Sequence, residues 1–167
     1  MSYLMWVYCR RAVETTRQHL GEWIEEGTFF NDRPEFDPPL NSAEARAPEW
    51  DSFVIRYAAA KRPVVVVRTG ATAGIEEKVE IEEEIEAEFV LPPLDSVLKN
   101  RIVEAKQVFI LDVNPDSLTE EAWEMCDSIE HLIASRCDGL IWAKDDGIFD
   151  ANLQRVATAK RVDGSPL

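Results

Sequence analysis

The order of apolar segments along the chain constrains the fold more than any other feature of the sequence. Short apolar runs of strand length alternate with segments of helical spacing, and the order strand–helix–strand–strand occurs twice, over Tyr3–Arg68 and Gln107–Asp150. The two stretches share no residue-level repeat. Two such units can share one mixed or antiparallel sheet with helices packed on it. We therefore predict a single α+β domain over residues 1–150.

The first unit begins with an apolar and aromatic run of strand length. Helical spacing follows over Arg10–Glu26, and Gly27 stands where a helix would end. Two further strands are predicted on either side of a short hairpin connection at Ala58–Arg62. The second of them contains four consecutive valines, which predicts burial on both faces. The strands of this unit are Tyr3–Cys9, Phe53–Tyr57 and Pro63–Arg68.

Residues 28–50 interrupt this unit as a long proline-rich excursion. It contains four of the nine prolines and no clear periodicity, which predicts a surface loop. Three aromatic residues in it either fold back onto the sheet or occupy a partner's groove: Phe29, Phe30 and Phe36. Trp50, at the end of the excursion, is a candidate anchor for a partner.

Residues 75–106 connect the two units. The stretch Ile75–Val90 alternates like a strand at period two, yet Ile81, Ile85 and Phe89 also stack at helical spacing. We favour a helix because glutamate is common in helices and depleted in strands. A second helix is predicted over Ser96–Lys106, with Asp95 as its N-cap.

The second unit starts with the strand Gln107–Val113. A long amphipathic helix follows over Glu120–Cys137, with capping-box spacing between Ser117 and Glu120 and with Gly139 as a left-handed cap. A hairpin is predicted around the turn Asp145–Asp146–Gly147. Residues 151–167 are weakly patterned and are predicted to be a poorly ordered tail.

Charge indicates what kind of partner the chain suits. There are 18 Lys+Arg against 32 Asp+Glu, giving a net charge of −14, which argues against general nucleic-acid binding and against anionic membranes. Half of this charge lies in one short segment. That segment is either a docking surface for a basic protein or peptide or an ordinary solvated helix face. Its glutamates are Glu76, Glu77, Glu80, Glu82, Glu83, Glu84, Glu86 and Glu88.

An alternative function rests on the helix Glu120–Cys137. Four potential ligands fall on one stripe of this helix, and such a set resembles half of a divalent-metal site: Glu120, Glu124, Asp127 and His131. A metal-dependent hydrolase is therefore the alternative. The competing interpretation is that the stripe is the polar face that any amphipathic helix requires.

Other chemistry has little support in the sequence. No apolar run approaches the roughly 20 residues of a membrane span, and no secretory signal is predicted. The three cysteines are expected to be reduced and buried, which suits the cytoplasm. No phosphate loop, nucleophile elbow or paired zinc motif is present in the sequence, so we predict no cofactor.

The stretch His131–Asp150 (HLIASRCDGLIWAKDDGIFD) resembles the helix–turn–strand–turn–strand ending of small bacterial proteins of unknown function, some of them immunity-like. This resemblance covers twenty residues, assigns no site residue and implies a non-enzymatic, protein-binding role. The sequence as a whole favours a protein-interaction module with an acidic docking face. A homo-oligomer in which residues 28–50 pack on a neighbouring copy remains open.

Overall fold

The computed structural model describes residues 1–69, 95–143 and 146–158, so the acidic segment Glu76–Glu88 and the predicted element Ile75–Val90 lie outside the described residues. The strands are β1 Tyr3–Cys9, β2 Glu35–Asp37, β3 Ser52–Arg56, β4 Val64–Thr69, β5 Gln107–Val113, β6 Gly139–Ala143, β7 Gly147–Phe149 and β8 Arg155–Thr158. The helices are α1 Arg17–Gly27, α2 Ala43–Arg46, α3 Asp95–Val103 and α4 Glu120–Cys137.

All eight strands belong to one antiparallel sheet, in the order β2-β3-β4-β5-β1-β6-β7-β8. The α+β prediction is therefore confirmed. β1 pairs with both β5 and β6, so these two strands run parallel to each other with β1 between them. The helix α4 joins them and packs over β1 and β6, which is a split β-α-β arrangement.

Side chains of β1 alternate between two cores, as the period of a strand requires. Met5, Val7 and Cys9 point into the larger core, which the helices α1 and α4 cover. Trp6 and Tyr8 point to the opposite face, where α3 contributes Ile102. On that face the ring of Trp6 stacks on Trp142 of β6 with centroids 4.5 Å apart. The sheet therefore carries helices on both faces.

α1 begins at Arg17, seven residues later than the sequence predicts. Thr16 has an extended backbone, and its side chain accepts a hydrogen bond from the backbone N–H of His19. In return, the Thr16 N–H donates to Nδ1 of His19, which completes a capping box. The His19 side chain is thus part of the N-terminal cap of α1, and residues 10–16 form a connection that precedes the helix.

The excursion over residues 28–50 folds back onto the protein and contains β2 and α2. Phe36 stacks on Phe53, and Phe30 stacks on Tyr57. Leu40 packs so closely on α1 that a Cβ atom added to Gly21 would overlap the Leu40 side chain. Of the two alternatives for these aromatic residues, the structure shows the intramolecular one.

The end of α4 differs from the prediction in one detail. Asp138, with φ 52°, adopts the left-handed conformation expected of Gly139, which is instead the first residue of β6. A Cβ atom on Gly139 would lie 2.7 Å from Cα of Ala134 and 2.9 Å from the Val7 side chain. The glycine is therefore needed for close packing and not for a cap. At the other end, Thr119 is the N-cap in place of the predicted Ser117–Glu120 box.

The structure corrects three further predictions, one about burial and two about the bounds of elements. β4 is an interior strand but is fully buried only on the face of Val64 and Val66. α3 includes Asp95, the predicted cap, and ends at Val103 instead of Lys106. Part of the predicted tail is the strand β8, which is the last strand in the order of the sheet and pairs with β7.

Hairpins, cysteines and the absence of an apolar span were also predicted from the sequence. The predicted hairpins β3–β4 and β6–β7 are confirmed, with Gly147 at φ 128° after the second turn. Cys9, Cys126 and Cys137 are all free and buried, as expected. Among the described residues, no helix combines the length and apolar character that crossing a membrane requires.

Candidate functional site

A pocket of about 270 Å³ lies between α4 and the sheet at the β6–β7 end. We call it the Glu130 pocket. Its wall combines three carboxyl side chains with three aromatic rings, and small or aliphatic side chains complete it. The carboxyl groups belong to Asp127, Glu130 and Asp146, the rings to Tyr3, Trp123 and Phe149, and the remainder to Met5, Ile141, Ala143 and Leu153.

α4 supplies one side of the Glu130 pocket. Trp123, Asp127 and Glu130 recur at intervals of four and three residues, so they lie on one face of the helix. β1 and the β6–β7 hairpin supply the other side. Met5 is paired with Ala143, and Ile141 is paired with Phe149, so these four wall residues are held in register by the sheet.

Tyr3 contacts residues on both sides of the pocket rim. Its hydroxyl donates a hydrogen bond of 2.7 Å to Oδ2 of Asp146, which precedes β7. Its ring meets that of Trp123 edge to face, with centroids 6.1 Å apart. These two contacts connect the first strand, the hairpin and α4 around the opening. Aromatic edge-to-face pairs of this kind add about 1 kcal/mol to the burial of the rings.

Glu130 is the chemically distinctive residue of the pocket. It is only 3% exposed, and among the described residues its Oε1 atom has no hydrogen-bond partner. Burial raises the pKa of Glu130 to about 8, and the negative charge of Asp127 adds to this effect. A buried carboxyl oxygen without a partner costs about 1–3 kcal/mol, which a ligand that donates a hydrogen bond would recover.

Asp127 stands nearer the solvent and extends the negative field of the pocket. Its pKa is raised, first by partial burial and then by the charge of Glu124. Neighbouring carboxyl groups that oppose each other's ionisation mark a site where a positive charge is favoured. A cation placed between Asp127 and Glu130 would lower both pKa values and would allow both groups to ionise.

The aromatic rings favour the same kind of ligand. The faces of tryptophan and tyrosine rings attract ammonium and guanidinium groups within about 6 Å. A cation already lies over one of the rings of the pocket wall: the guanidinium carbon of Arg155 is 5.4 Å from the centroid of the Phe149 ring. Carboxyl groups and aromatic rings together therefore suit an organic cation that carries apolar methylene groups.

The structure does not assemble the predicted metal stripe. Among the described residues, no group of three or more His, Cys, Asp and Glu side chains is placed to hold a metal ion. Of the four stripe residues only Asp127 lines the Glu130 pocket, while Glu120 and Glu124 are exposed. Nδ1 of His131 lies 2.6 Å from the carbonyl oxygen of Ala151, so it is engaged in fixing the chain after β7.

Trp50 is not a surface anchor. Its side chain is 6% exposed, and its indole N–H donates a 2.7 Å hydrogen bond to the carbonyl oxygen of Thr15. Its ring also packs on Phe109 of β5. The glutamates of the segment Glu76–Glu88 lie outside the described residues.

Two other surface cavities lie beside α1. The larger, of about 710 Å³, is an open groove lined by Glu22, Glu25 and Glu35 together with Arg33. Arg33 forms an ion pair with Glu25, so part of the acidic character of this groove is already neutralised. A smaller cavity, of about 250 Å³, adjoins it at Phe29 and Phe30. Neither cavity contains a buried polar atom without a partner comparable to Oε1 of Glu130 among the described residues.

Sequence reasoning missed Glu130, although a signal was present. On a helical projection Glu130 lies next to Cys126, at the border between the apolar side of the helix and the polar stripe that contains Asp127, and it is buried. A glutamate on the buried face of an amphipathic helix requires a partner or a function. A search for family models, curated proteins and solved structures similar to this chain found no match.

Proposed function

We propose that this protein is a non-enzymatic protein-interaction module and that its Glu130 pocket receives a lysine or arginine side chain of a basic partner. The observation that carries the proposal is Oε1 of Glu130, which is buried, belongs to a residue of the pocket wall and has no hydrogen-bond partner among the described residues. A cationic side chain would donate the missing hydrogen bond and would neutralise the carboxylate.

The composition of the wall supports binding in preference to catalysis. The ten described wall residues include no histidine, cysteine, serine or lysine, so no thiol, serine hydroxyl, amine or imidazole stands in the cavity beside the carboxyl groups. Aromatic and aliphatic walls suit the methylene groups of a long basic side chain, and the carboxyl groups suit its charged end. The net charge of −14 would also increase the rate of encounter with a basic protein.

Titration with defined peptides tests the proposal. An oligolysine peptide of about ten residues is the probe, an oligoarginine peptide compares the two cations, and an oligoglutamine peptide is the uncharged control. We expect binding of at least one of the two basic peptides, with an affinity that falls as salt rises. Binding that ignores ionic strength, or equal binding of the uncharged peptide, would contradict electrostatic recognition.

A matched pair of variants locates the binding site. Glu130→Gln retains the size and the neutral state of a protonated glutamate, so the fold is expected to persist, and circular dichroism checks this. We expect it to weaken binding at least tenfold. Glu121→Gln removes one exposed carboxylate from the same helix and is expected to change affinity less than twofold. Equal losses in both variants would show that the pocket is not the site.

Thermal melting in millimolar Mg²⁺, Mn²⁺ or Zn²⁺ separates this proposal from the metal-dependent alternative. A ligand that binds the native state raises the melting temperature. We expect the basic peptide to do so and the metal ions not to. A metal-dependent increase that is lost in Asp127→Asn would favour the metal site instead.

A further inference from the structure

Two of the three cysteines meet in the larger core. Cys9 ends β1 and Cys137 ends α4, and both are fully buried. Cys9 is paired with Gly139, two residues beyond Cys137, so the sheet places the end of α4 beside Cys9. The Cys9 sulfur lies 3.8 Å from the Val7 carbonyl oxygen. Cys9 is also paired with Gln107, whose side-chain amide contacts the Cys137 sulfur at 3.6 Å, so both thiols adjoin the same residue.

Polar groups surround the Cys137 sulfur in an otherwise apolar core. The side-chain amide of Gln107 donates to it from 3.6 Å, and Oγ1 of Thr15 lies 3.8 Å from it. Gln107 is itself oriented by Arg68, whose Nε donates to its amide oxygen at 3.2 Å. Gln107 and Thr15 are both buried, so these contacts are shielded from water. The amide N–H of Gln107 favours a negative charge on Cys137, because it donates to the sulfur atom.

The acidity of the two thiols follows from this arrangement. The hydrogen bond from Cys9 is the largest influence that lowers the pKa of Cys137, and burial opposes it. Thr15, Arg136 and Arg68 lower it further, to about 7. The pKa of Cys9 is raised by its hydrogen bond to Cys137 and by burial. Cys137 is therefore the nucleophile of the pair, and Cys9 keeps its proton.

The segment Arg10–Glu14 separates the pair from solvent. Its residues Arg11, Ala12 and Glu14 are exposed. Gln107 holds the segment through hydrogen bonds to the carbonyl oxygens of Arg11 and Val13, and Arg136 holds it through Glu14. Backbone hydrogen bonds from Arg10 and Arg11 to the carbonyl oxygens of Asp138 and Cys137, and an ion pair between Arg10 and Asp138, also hold it. The segment belongs to no helix or strand, so it is a small unit that can open locally without unfolding of the sheet. Hydrogen peroxide, which is close to water in size, can reach Cys137 through such an opening.

From this cluster we infer that Cys9 and Cys137 form an oxidisable thiol pair, a modification site at which hydrogen peroxide links the end of β1 to the end of α4. The Cys137 thiolate attacks one peroxide oxygen, the O–O bond breaks, and a sulfenic acid and hydroxide are produced; the hydroxide takes up the proton that the Cys137 thiol released on ionising and becomes the first water. The Cys9 sulfur then attacks the Cys137 sulfur, the S–O bond breaks, and a second water leaves with the Cys9 proton. Two thiols lose two electrons, and one peroxide becomes two waters.

Cys126 provides an internal control. It is buried in the middle of α4, and burial, Glu130 and Asp127 all raise the pKa of its thiol. It lies eleven residues before Cys137 on the same helix, about 16 Å away, which exceeds the reach of a disulfide. Oxidation that depends on the cluster should therefore spare Cys126.

The test is peroxide treatment of the full chain, followed by unfolding and alkylation of the remaining thiols. We expect alkylatable thiols to fall from three to one, an intact mass 2 Da below that of the reduced protein, and a cross-linked peptide that contains Cys9 and Cys137. Cys126→Ser should behave like the wild type, whereas Cys9→Ala should form no cross-link. Should the alanine variant fail to fold, the cross-link in the wild type still decides the matter.

Three results would overturn the inference. One is the persistence of three free thiols in millimolar peroxide. Another is a cross-link that involves Cys126. The third is conversion of Cys137 to sulfinic or sulfonic acid without a cross-link, which would show that Cys9 cannot reach the sulfenic acid. None of these outcomes bears on the Glu130 pocket, whose test uses reduced protein.

Discussion

Asp127 and Glu130 lie three residues apart on α4, and the negative charge of Asp127 adds to burial in raising the pKa of Glu130 to about 8. The two carboxyl groups therefore compete for ionisation inside one pocket. Their relationship links the stability of the fold to the binding of a cation, and the first two predictions follow from it.

Folding stability is expected to fall as pH rises through the titration of Glu130. In the unfolded chain Glu130 loses its proton near its ordinary pKa of 4.5, whereas in the folded protein it retains the proton up to about 8. Between these values the folded state binds more protons than the unfolded state, so the free energy of unfolding decreases with pH. We expect a loss on the order of 1 kcal/mol per pH unit across this window. Urea unfolding at pH 5, 6, 7 and 8 measures it.

The variant Glu130→Gln should lose this contribution to the pH dependence of stability. Its free energy of unfolding should exceed that of the wild type at pH 8.5, where the wild-type carboxylate is charged and buried. Glu121→Gln should retain the wild-type slope, because Glu121 is exposed. Identical slopes for Glu130→Gln and the wild type would show that Glu130 does not titrate as its environment indicates.

Affinity for a basic peptide should change with pH in the opposite direction to stability. A cation binds best once Glu130 is ionised, so the dissociation constant for oligolysine should fall about tenfold between pH 6.5 and 8.5. Lysine itself stays charged over this range, since its ordinary pKa is about 10.4. Titration at four pH values with constant ionic strength measures the change. A flat profile in the wild type would argue that binding does not require the Glu130 carboxylate.

Gly139→Ala should destabilise the protein. The cause is a steric clash of the added Cβ and not a difference in secondary-structure propensity between glycine and alanine. The added Cβ would lie 2.7 Å from Cα of Ala134, which is backbone and cannot move aside. We expect a cost of roughly 2–3 kcal/mol. The matched control is Gly27→Ala, whose Cβ would meet only the ring edge of Phe29. Chemical denaturation compares the two, and an equal cost would contradict the backbone clash.

Trp50→Phe should reduce stability and leave peptide binding unchanged. The substitution keeps an aromatic ring beside Phe109 but removes the 2.7 Å hydrogen bond to Thr15. Loss of one buried hydrogen bond is expected to cost about 1–2 kcal/mol. Denaturation and peptide titration on the same sample separate the two roles. Normal stability with weakened binding would restore Trp50 as a contact for a partner.

Much of the fold was predictable because strands and helices repeat their buried faces at different periods. The runs Tyr3–Cys9 and Gln107–Val113 are strands with the predicted bounds, and Glu120–Cys137 is the predicted helix. The start of α1 was wrong by seven residues, since helical spacing continues into a segment whose backbone is held by Gln107 and Arg136. Contacts between residues so distant in sequence do not affect the spacing of apolar residues, so the sequence pattern cannot reveal them.

The Glu130 pocket could be anticipated only in part. The sequence places Trp123, Asp127 and Glu130 on one helix, but the pocket also needs Tyr3 from β1 and Phe149 from β7. Their meeting depends on the order of strands in the sheet, which local pattern does not determine. For the same reason, the sequence predicts Cys9 and Cys137 as two separate buried thiols, whereas the structure places both beside Gln107.

The position of β1 in the sheet also determines when the protein can assemble. β1 ends at Cys9, yet its two partners begin at Gln107 and Gly139, so neither exists when β1 leaves the ribosome. Pairings this distant in sequence are formed late and slowly. β1 therefore has no strand to pair with until Gln107–Val113 has been synthesised, and over that interval its apolar side chains favour aggregation of the nascent chain.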